Sequence, residues 1–329
     1  MSRVVRFHRL GGPEVLEIEE IPDRALKDGE LRVRVEAIGL NRAEEMFRSG
    51  TYLEQPNLPA QNGYEASAVV LELGPGVSGF SIGEAISVIP AFSLNAYGVY
   101  AEVAVVPAYA AVKRPENLNA VDAAAVWMAF LTAYGALIDI AKIGKGEAVV
   151  IPAASSSVGL AAIQIVNSVG GVSIAMTRTS AKASALKAAG AAHVVATEEQ
   201  DLTEAINAIT NGKGARVVFD PVGGPCVEKL AAAMAPGGTL VLYGLLSLQP
   251  TPFPFGAALL KGLTVRGYTL FEVVADSFRR EAAILFITRG LEAGTLKPII
   301  AKTFPFDQIV EAHRYLESNA QFGKIVVTV

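Results

Sequence analysis

The stretch 147–182 constrains this chain more than any other. Ala148, Val149, Val150 and Ile151 form an apolar, mostly β-branched run, as required of a strand covered on both faces of a parallel sheet. Pro152 closes that ladder. A turn of small residues comes next, Ala153, Ala154, Ser155, Ser156, Ser157, Val158 and Gly159. Residues 160–169 are apolar nearly all round, the pattern of a helix packed on a sheet, and 172–176 is a second strand.

A strand feeding a helix through such a turn brings backbone N–H groups and a positive helix end towards one point, where a pyrophosphate can sit. The pattern G-x-G-x-x-G is partly present: Ser156 and Ser157 stand where glycines are expected, and Gly159 remains to let helix and strand approach. Two readings stay open, a cradle built by Ser156, Ser157, Val158 and Gly159, and an ordinary strand-to-helix turn without a ligand. The residues just beyond the second strand favour the cradle. A site for NAD places Asp or Glu about 20 residues beyond the glycines. This chain offers Thr177, Arg178, Thr179, Ser180 and Lys182 there, cations and hydroxyls suited to a 2′-phosphate, so NADPH is the expected cofactor. The same residues also read as a solvated basic turn with Ser180 as the N-cap of the next helix.

With 329 residues, 51% hydrophobic and 18% charged, the chain has room for two well-filled domains. A net charge of −4 without a basic run argues against nucleic acid or an anionic membrane as partner. Residues 1–7 read as a strand, with no signal peptide expected, and 123–138, interrupted by Thr132, Tyr134 and Gly135, reads as too short to span a bilayer. The lone Cys226 excludes an internal disulfide or a cysteine zinc cluster and fits a reducing cytoplasm.

Up to residue 121 the pattern is β-rich. Residues 31–38 alternate apolar and charged side chains, a half-buried antiparallel strand, and 41–47 suits a short helix. Beyond 122, helices at 123–141, 182–189, 201–210 and 226–234 alternate with strands at 193–196, 216–220, 239–243 and 263–268. That succession predicts a doubly wound parallel sheet. A helix at 275–293, a strand at 299–304, a helix at 306–318 and a strand at 324–329 complete the chain.

In this order, with Gly63-Tyr64-Glu65-Ala66, Gly74-Pro75-Gly76-Val77, Thr132-Ala133-Tyr134-Gly135, the 153–159 turn, Asp220-Pro221-Val222-Gly223-Gly224 and Gly323-Lys324-Ile325-Val326, the chain resembles the medium-chain dehydrogenase/reductase superfamily. The similarity is closest to its zinc-free quinone oxidoreductase, ζ-crystallin-like branch. The resemblance implies an α/β fold: a Rossmann-type doubly wound parallel sheet over 123–268, plus a GroES-like β-rich catalytic domain from 1–122 and 269–329. It also implies a homodimer formed through the edge strand 263–268.

In zinc-dependent relatives three motif positions carry cysteine, histidine and cysteine; here they carry Asn41, Tyr64 and Met128, none a typical zinc ligand. His8, His193 and His313 are scattered without ligand spacing. The resemblance assigns Asn41, Tyr52 and Tyr64 to the substrate pocket, with Tyr64 either donating to a carbonyl or filling the space of the metal. It sets Thr132 against the nicotinamide and adds Phe322, Gly323 and Lys324 of the closing motif. Tyr243, Gly244 and Leu245 end a strand at its carboxyl edge, where nucleotides lie in open sheets. Asp220 ends another and caps the next turn. Tyr109 and Lys113 have a short-chain dehydrogenase spacing but precede the nucleotide unit, so the match is coincidental. Cys226 reads as a structural thiol.

The expected activity is metal-independent, NADPH-dependent hydride transfer to a quinone or an α,β-unsaturated carbonyl. Such an acceptor delocalises incoming negative charge and needs only hydrogen-bond donors at its oxygen. An alcohol dehydrogenase-like carbonyl reductase and a non-catalytic NADPH-binding protein are the alternatives. Chelator treatment is expected to leave turnover unchanged, and elemental analysis to find zinc well below stoichiometric; retained stoichiometric zinc refutes a metal-free site.

Overall fold

The computed structural model describes Met1 to Val329, and the chain folds into two compact units, Met1–Met128 with Pro298–Val329, and Ala129–Lys297. The second is built around the constraining strand. Val149, Val150 and Ile151 are fully buried, as a doubly covered strand demands. All six strands of its sheet are parallel, in the order His193–Ala196, Val172–Thr177, Ala148–Ile151, Ala215–Asp220, Met234–Leu242, Thr264–Gly267. Counted from Ala148–Ile151 this is the order 3-2-1-4-5-6 of a dinucleotide fold. The direction of winding reverses between Ala148–Ile151 and Ala215–Asp220, so the strand ends there open a crevice.

The first unit is built on a seven-stranded sheet with the Glu30–Gly39 strand at its middle. That strand pairs antiparallel with Glu65–Leu73, Val103–Pro107 and the closing Lys324–Thr328, so the carboxy-terminal segment is a structural member of the amino-terminal unit. Leu31, Val33, Val35 and Ala37 are buried while Arg34 is exposed, the alternation expected from the sequence. Gly39 is needed for packing, since a Cβ there would lie 2.0 Å from the Ala124 carbonyl oxygen.

Several elements differ from expectation. The return to the first unit comes at Pro298, later than residue 269, because the helix Ser277–Glu292 belongs with the parallel sheet. Arg279 Nε donates to Asp139 at 2.8 Å, the Tyr134 and Phe286 rings lie 5.1 Å apart, and Gln164 bonds both the N–H and the carbonyl of Lys297. The expected helix at 123–141 is broken into Ala120–Ala123, Trp127–Tyr134 and a π-helical Gly135–Ile140. A Cβ on Gly135 would meet the Tyr268 hydroxyl at 2.1 Å and Val273 Cγ2 at 2.6 Å, so a larger residue there would have to push these side chains aside. Taken across its breaks, Ala120–Ile140 is long and apolar enough to cross a membrane, longer than the sequence reading allowed, yet most of its side chains are buried in the fold. The short strands Ala60–Gln61 and Ala111–Lys113 and the helix Phe255–Lys261 are added to the expected elements.

At the start of the central strand Glu30, nearly fully buried, accepts from both Arg24 terminal nitrogens at 2.7 and 2.8 Å, from Lys27 N–H and from the Tyr97 hydroxyl. The Arg24 hydrogen bonds lead in drawing its carboxyl down from 4.5 to about 2. A lowered folded value means the stabilisation is whole above the unfolded value and fades as pH falls through the folded one. Denaturant titrations are expected to show a loss on the order of 2 kcal/mol between about pH 4.5 and about pH 2 that is missing in Glu30→Gln.

Candidate functional site

In the parallel unit, the strand Ala148–Ile151 runs into the helix Ser157–Ser168 through the small-residue turn. Ala153 holds a left-handed φ of 49°, which bends the chain sharply at the strand end. A Cβ on Gly159 would lie 2.7 Å from both Cα and O of Ala154, so this glycine is what allows the helix to sit against the turn. Ser156 caps the helix, its Oγ accepting from Gly159 N–H at 3.1 Å. The serine thus replaces a glycine with a built-in acceptor. Ser157 and Val158 supply the N–H groups that helix geometry leaves without intrahelical partners.

Lys182 Nζ donates to Ser155 Oγ at 3.3 Å, which joins the basic end of the second strand to this turn. Burial first, and then the nearby Arg178 charge, lower the Lys182 pKa. Two cations pressed together at a strand end favour an anion between them. Thr177 ends the strand Val172–Thr177, and Arg178 and Thr179 are exposed. Ser180 is not an N-cap: Thr179 holds that position, and Ser180 donates its N–H and hydroxyl to Glu199 at 2.8 and 3.2 Å. Sequence reasoning found no carboxylate here. The parallel register pairs Thr177 with Ala196, which carries Glu199 alongside Ser180, and that pairing was the available signal.

Around the same strand ends, Asp220 accepts from Val222 N–H at 2.8 Å and Gly223 N–H at 3.1 Å, capping the turn as expected. Tyr243 stacks on Phe219 with ring centres 3.9 Å apart, and its buried hydroxyl has no hydrogen-bond partner. Gly244 passes so close to Pro221 that a Cβ would lie 2.6 Å from its carbonyl oxygen, while Leu245 is exposed. Thr132 is buried in the helix Trp127–Tyr134. Burial raises the Cys226 thiol pKa, in keeping with a structural role.

In the β-rich unit, Tyr64 is fully buried, its ring 6.2 Å from Tyr52 and 5.9 Å from Phe92. Burial raises the pKa of both Tyr52 and Tyr64, so each keeps its proton across the neutral range. Asn41 is saturated. Its Nδ2 donates to the Gly39 carbonyl at 3.1 Å and to Glu65 at 3.2 Å, and its Oδ1 accepts from Lys324 at 2.6 Å. Lys324, of the closing motif, is buried, and its ammonium bonds Asn41 and Glu65. Met128 N–H donates to the other Glu65 oxygen at 3.0 Å. Gly323 serves a close approach, since at φ 105° its Cβ would lie 2.2 Å from the Ile299 carbonyl oxygen, and Phe322 is half-buried.

An amide already holding a lysine, a phenol with a raised pKa and a thioether offer no zinc donor set at Asn41, Tyr64 and Met128. Elsewhere, strand pairing gathers His8, Glu17 and Glu19 into one exposed group that linear spacing did not reveal. His8 contacts Glu19 there, and Arg6 lies 3.4 Å from the same carboxylate, so two side chains already compete for it. Glu44, Tyr100, Arg48 and His313 are further buried polar residues of this unit; none was singled out from the sequence as a site residue.

Replacing Gly159 tests the helix approach. Gly159→Ala is expected to lose about 1–3 kcal/mol of stability through overpacking, read by denaturant titration, and to weaken nicotinamide-cofactor binding in calorimetry.

The family described as zinc-binding dehydrogenase matches residues 157–286, and that described as alcohol dehydrogenase GroES-like domain matches residues 27–116. The chain is 30% identical to a human quinone oxidoreductase, with 99% of this chain and 98% of that protein covered. It is 29% identical to a 2-haloacrylate reductase from Burkholderia, over 98% of this chain and 97% of the relative. The crystal structure of Escherichia coli quinone oxidoreductase complexed with NADPH superposes with a TM-score of 0.91 at 29% identity, covering 99% of this chain and 100% of that one. The chain belongs to the medium-chain dehydrogenase/reductase superfamily, in its quinone oxidoreductase, ζ-crystallin-like branch.

Proposed function

We propose that this protein is an NADPH-dependent oxidoreductase that reduces a quinone or an α,β-unsaturated carbonyl without a metal. The observation that carries the reading is the Lys182 ammonium bonded to Ser155, with the Arg178 charge felt at Lys182, a cationic end to the small-residue turn that suits a phosphorylated ribose. Human quinone oxidoreductase, the Burkholderia 2-haloacrylate reductase and the NADPH complex from Escherichia coli support it by similarity. A haloacrylate, like a quinone, holds a carbon–carbon double bond conjugated to a carbonyl.

Ser156, Ser157, Val158 and Gly159 would hold the cofactor's diphosphate, with Arg178 and Lys182 at the 2′-phosphate and Thr177 and Thr179 beside them. Thr132, Tyr243, Gly244 and Leu245 join the proposed cofactor set, to which the resemblance also adds Phe322, Gly323 and Lys324. Bound there, NADPH supplies the hydride. The chain's own part is orientation and charge stabilisation. Tyr52 and Tyr64 keep their protons and serve as hydrogen-bond donors to the carbonyl oxygen, where negative charge develops on reduction. Asn41 acts by fixing its surroundings, since its own polar atoms are engaged.

A second copy of this chain suits the exposed Leu248, Phe253, Phe255, Leu259 and Leu260 beside the edge strand Thr264–Gly267, and a cytoplasmic setting suits a chain whose one cysteine is free.

Cofactor oxidation with a panel of quinones and enones tests the reading. NADPH is expected to be oxidised faster than NADH, and Arg178→Ala to raise the KM for NADPH about tenfold or more while leaving NADH nearly unaffected, a loss of about 1.4 kcal/mol. Binding of NADPH without turnover of any acceptor would leave a non-catalytic binding protein. Tyr64→Phe with unchanged turnover would remove Tyr64 from the donor set.

A further inference from the structure

The β-rich unit contains a run of hydrogen bonds whose direction is forced from one end. Arg48, on the helix Arg42–Ser49, places Nη1 3.0 Å from Nδ1 of His313, on the helix Ile309–Glu317. A guanidinium has donors only, so Nδ1 accepts and the His313 ring proton sits on Nε2. Nε2 lies 3.0 Å from the Tyr100 hydroxyl oxygen and donates to it. The Tyr100 proton is left to point at Glu44 Oε2, 2.9 Å away.

Glu44 meets donors on every side. Oε2 also accepts from Asn41 N–H at 2.6 Å, and Oε1 accepts from Tyr64 N–H at 2.9 Å and from Asn41 Nδ2 at 3.3 Å. A proton on this carboxyl would have to displace one of these donors. The two backbone groups it holds belong to Asn41 and Tyr64, which lie 23 residues apart by number and share this one acceptor.

We propose that Arg48, acting through the His313 tautomer and the Tyr100 hydroxyl orientation, keeps Glu44 a carboxylate, and that these four are positioning residues for Asn41 and Tyr64 on the substrate side. The proposal rests on the reading that Asn41 and Tyr64 belong to the substrate pocket. The chain is a lock rather than a proton path, because its far end is an arginine with no proton to give up.

The forces around Glu44 show what the lock opposes. Burial pushes its carboxyl up to about 7, against hydrogen bonds from Tyr64 and Asn41 and the charge of Lys324 on the strand Lys324–Thr328. Glu65, on Glu65–Leu73, shares Asn41 Nδ2 with it and opposes its charge. Tyr52 and Tyr64 stay neutral nearby. On the far side burial pushes His313 down to about 3, helped by Arg48 and Arg42, while Glu317 holds Arg48 Nη2 at 2.6 Å. Without the Tyr100 donor, Glu44 would take up a proton more readily, and a protonated Glu44 must turn one of its donors away.

Nitrogen NMR of the full chain tests the lock directly, since only His8, His193 and His313 contribute and His313→Gln assigns the third signal. Between about pH 5 and about pH 8, where an unperturbed histidine titrates, His313 is expected to stay neutral as the Nε2–H tautomer. Arg48→Lys keeps a donor and is expected to preserve that signal, while Arg48→Met admits the other tautomer. Tyr100→Phe, which keeps the ring, is expected to move the acid limb of kcat/KM for the acceptor upward by about one pH unit, a change that a role in stability alone would not produce. An Nδ1–H or imidazolium signal in the wild type, or an unmoved acid limb in Tyr100→Phe, overturns the proposal. If the wild type turns over no quinone or enone, the enzyme reading falls, and the tautomer measurement still decides the lock.

Discussion

A carboxylate taken out of water must be surrounded by donors or give up its charge, and besides Glu30 the β-rich unit buries Glu44 and Glu65, both held by one asparagine. Their demands organise the unit. Glu65 is answered by Lys324 from the last strand and by the Met128 N–H, so the closing segment is tied to the amino-terminal sheet by charge as well as by strand pairing. Glu44 is answered by the backbone of Asn41 and Tyr64 and by Tyr100. Removing one partner of such a pair costs far more than the pair contributes, because the other is left charged in a dry interior. The polar interior behaves as a unit for that reason.

The parallel unit solves a different problem with different means. Its strand order places the change of winding direction beside Ala148–Ile151, and the small-residue turn sits at that point. Serine in place of glycine does not spoil the turn. Ser156 turns its side chain into the helix cap, and the close approach that only glycine permits falls on Gly159 alone. Glu199 engages Ser180 at the basic strand end, which leaves Arg178 and Lys182 as the cationic side chains there.

Much of this was legible in the residues. The β-branched run, the turn composition and the alternation of helices with strands point to the dinucleotide sheet, because each is a local pattern whose period reports which face is buried. The Leu31–Val35 alternation likewise announced the central antiparallel strand. Boundaries were less legible. The helix Ser277–Glu292 looked like part of the return to the β-rich unit, yet the Arg279–Asp139 bridge and the Tyr134–Phe286 contact hold it to the parallel one. Nothing in its own pattern names those partners.

The sequence alone determined the fold class, the position of the turn, the basic residues after the second strand and the lack of zinc-ligand types at Asn41, Tyr64 and Met128. The first three depend on residue type and on local spacing, while positions 41, 64 and 128 are matched through the family resemblance. Tertiary structure alone decided that Glu199 reaches Ser180, that Lys324 is buried against Glu65, and that Arg48, His313, Tyr100 and Glu44 form one directed chain. Arg48 and His313 are 265 residues apart, and a hydrogen bond between them exists only because two helices pack together in the fold. Periodicity says which side of an element turns inward; which polar group waits there is set by how distant elements meet.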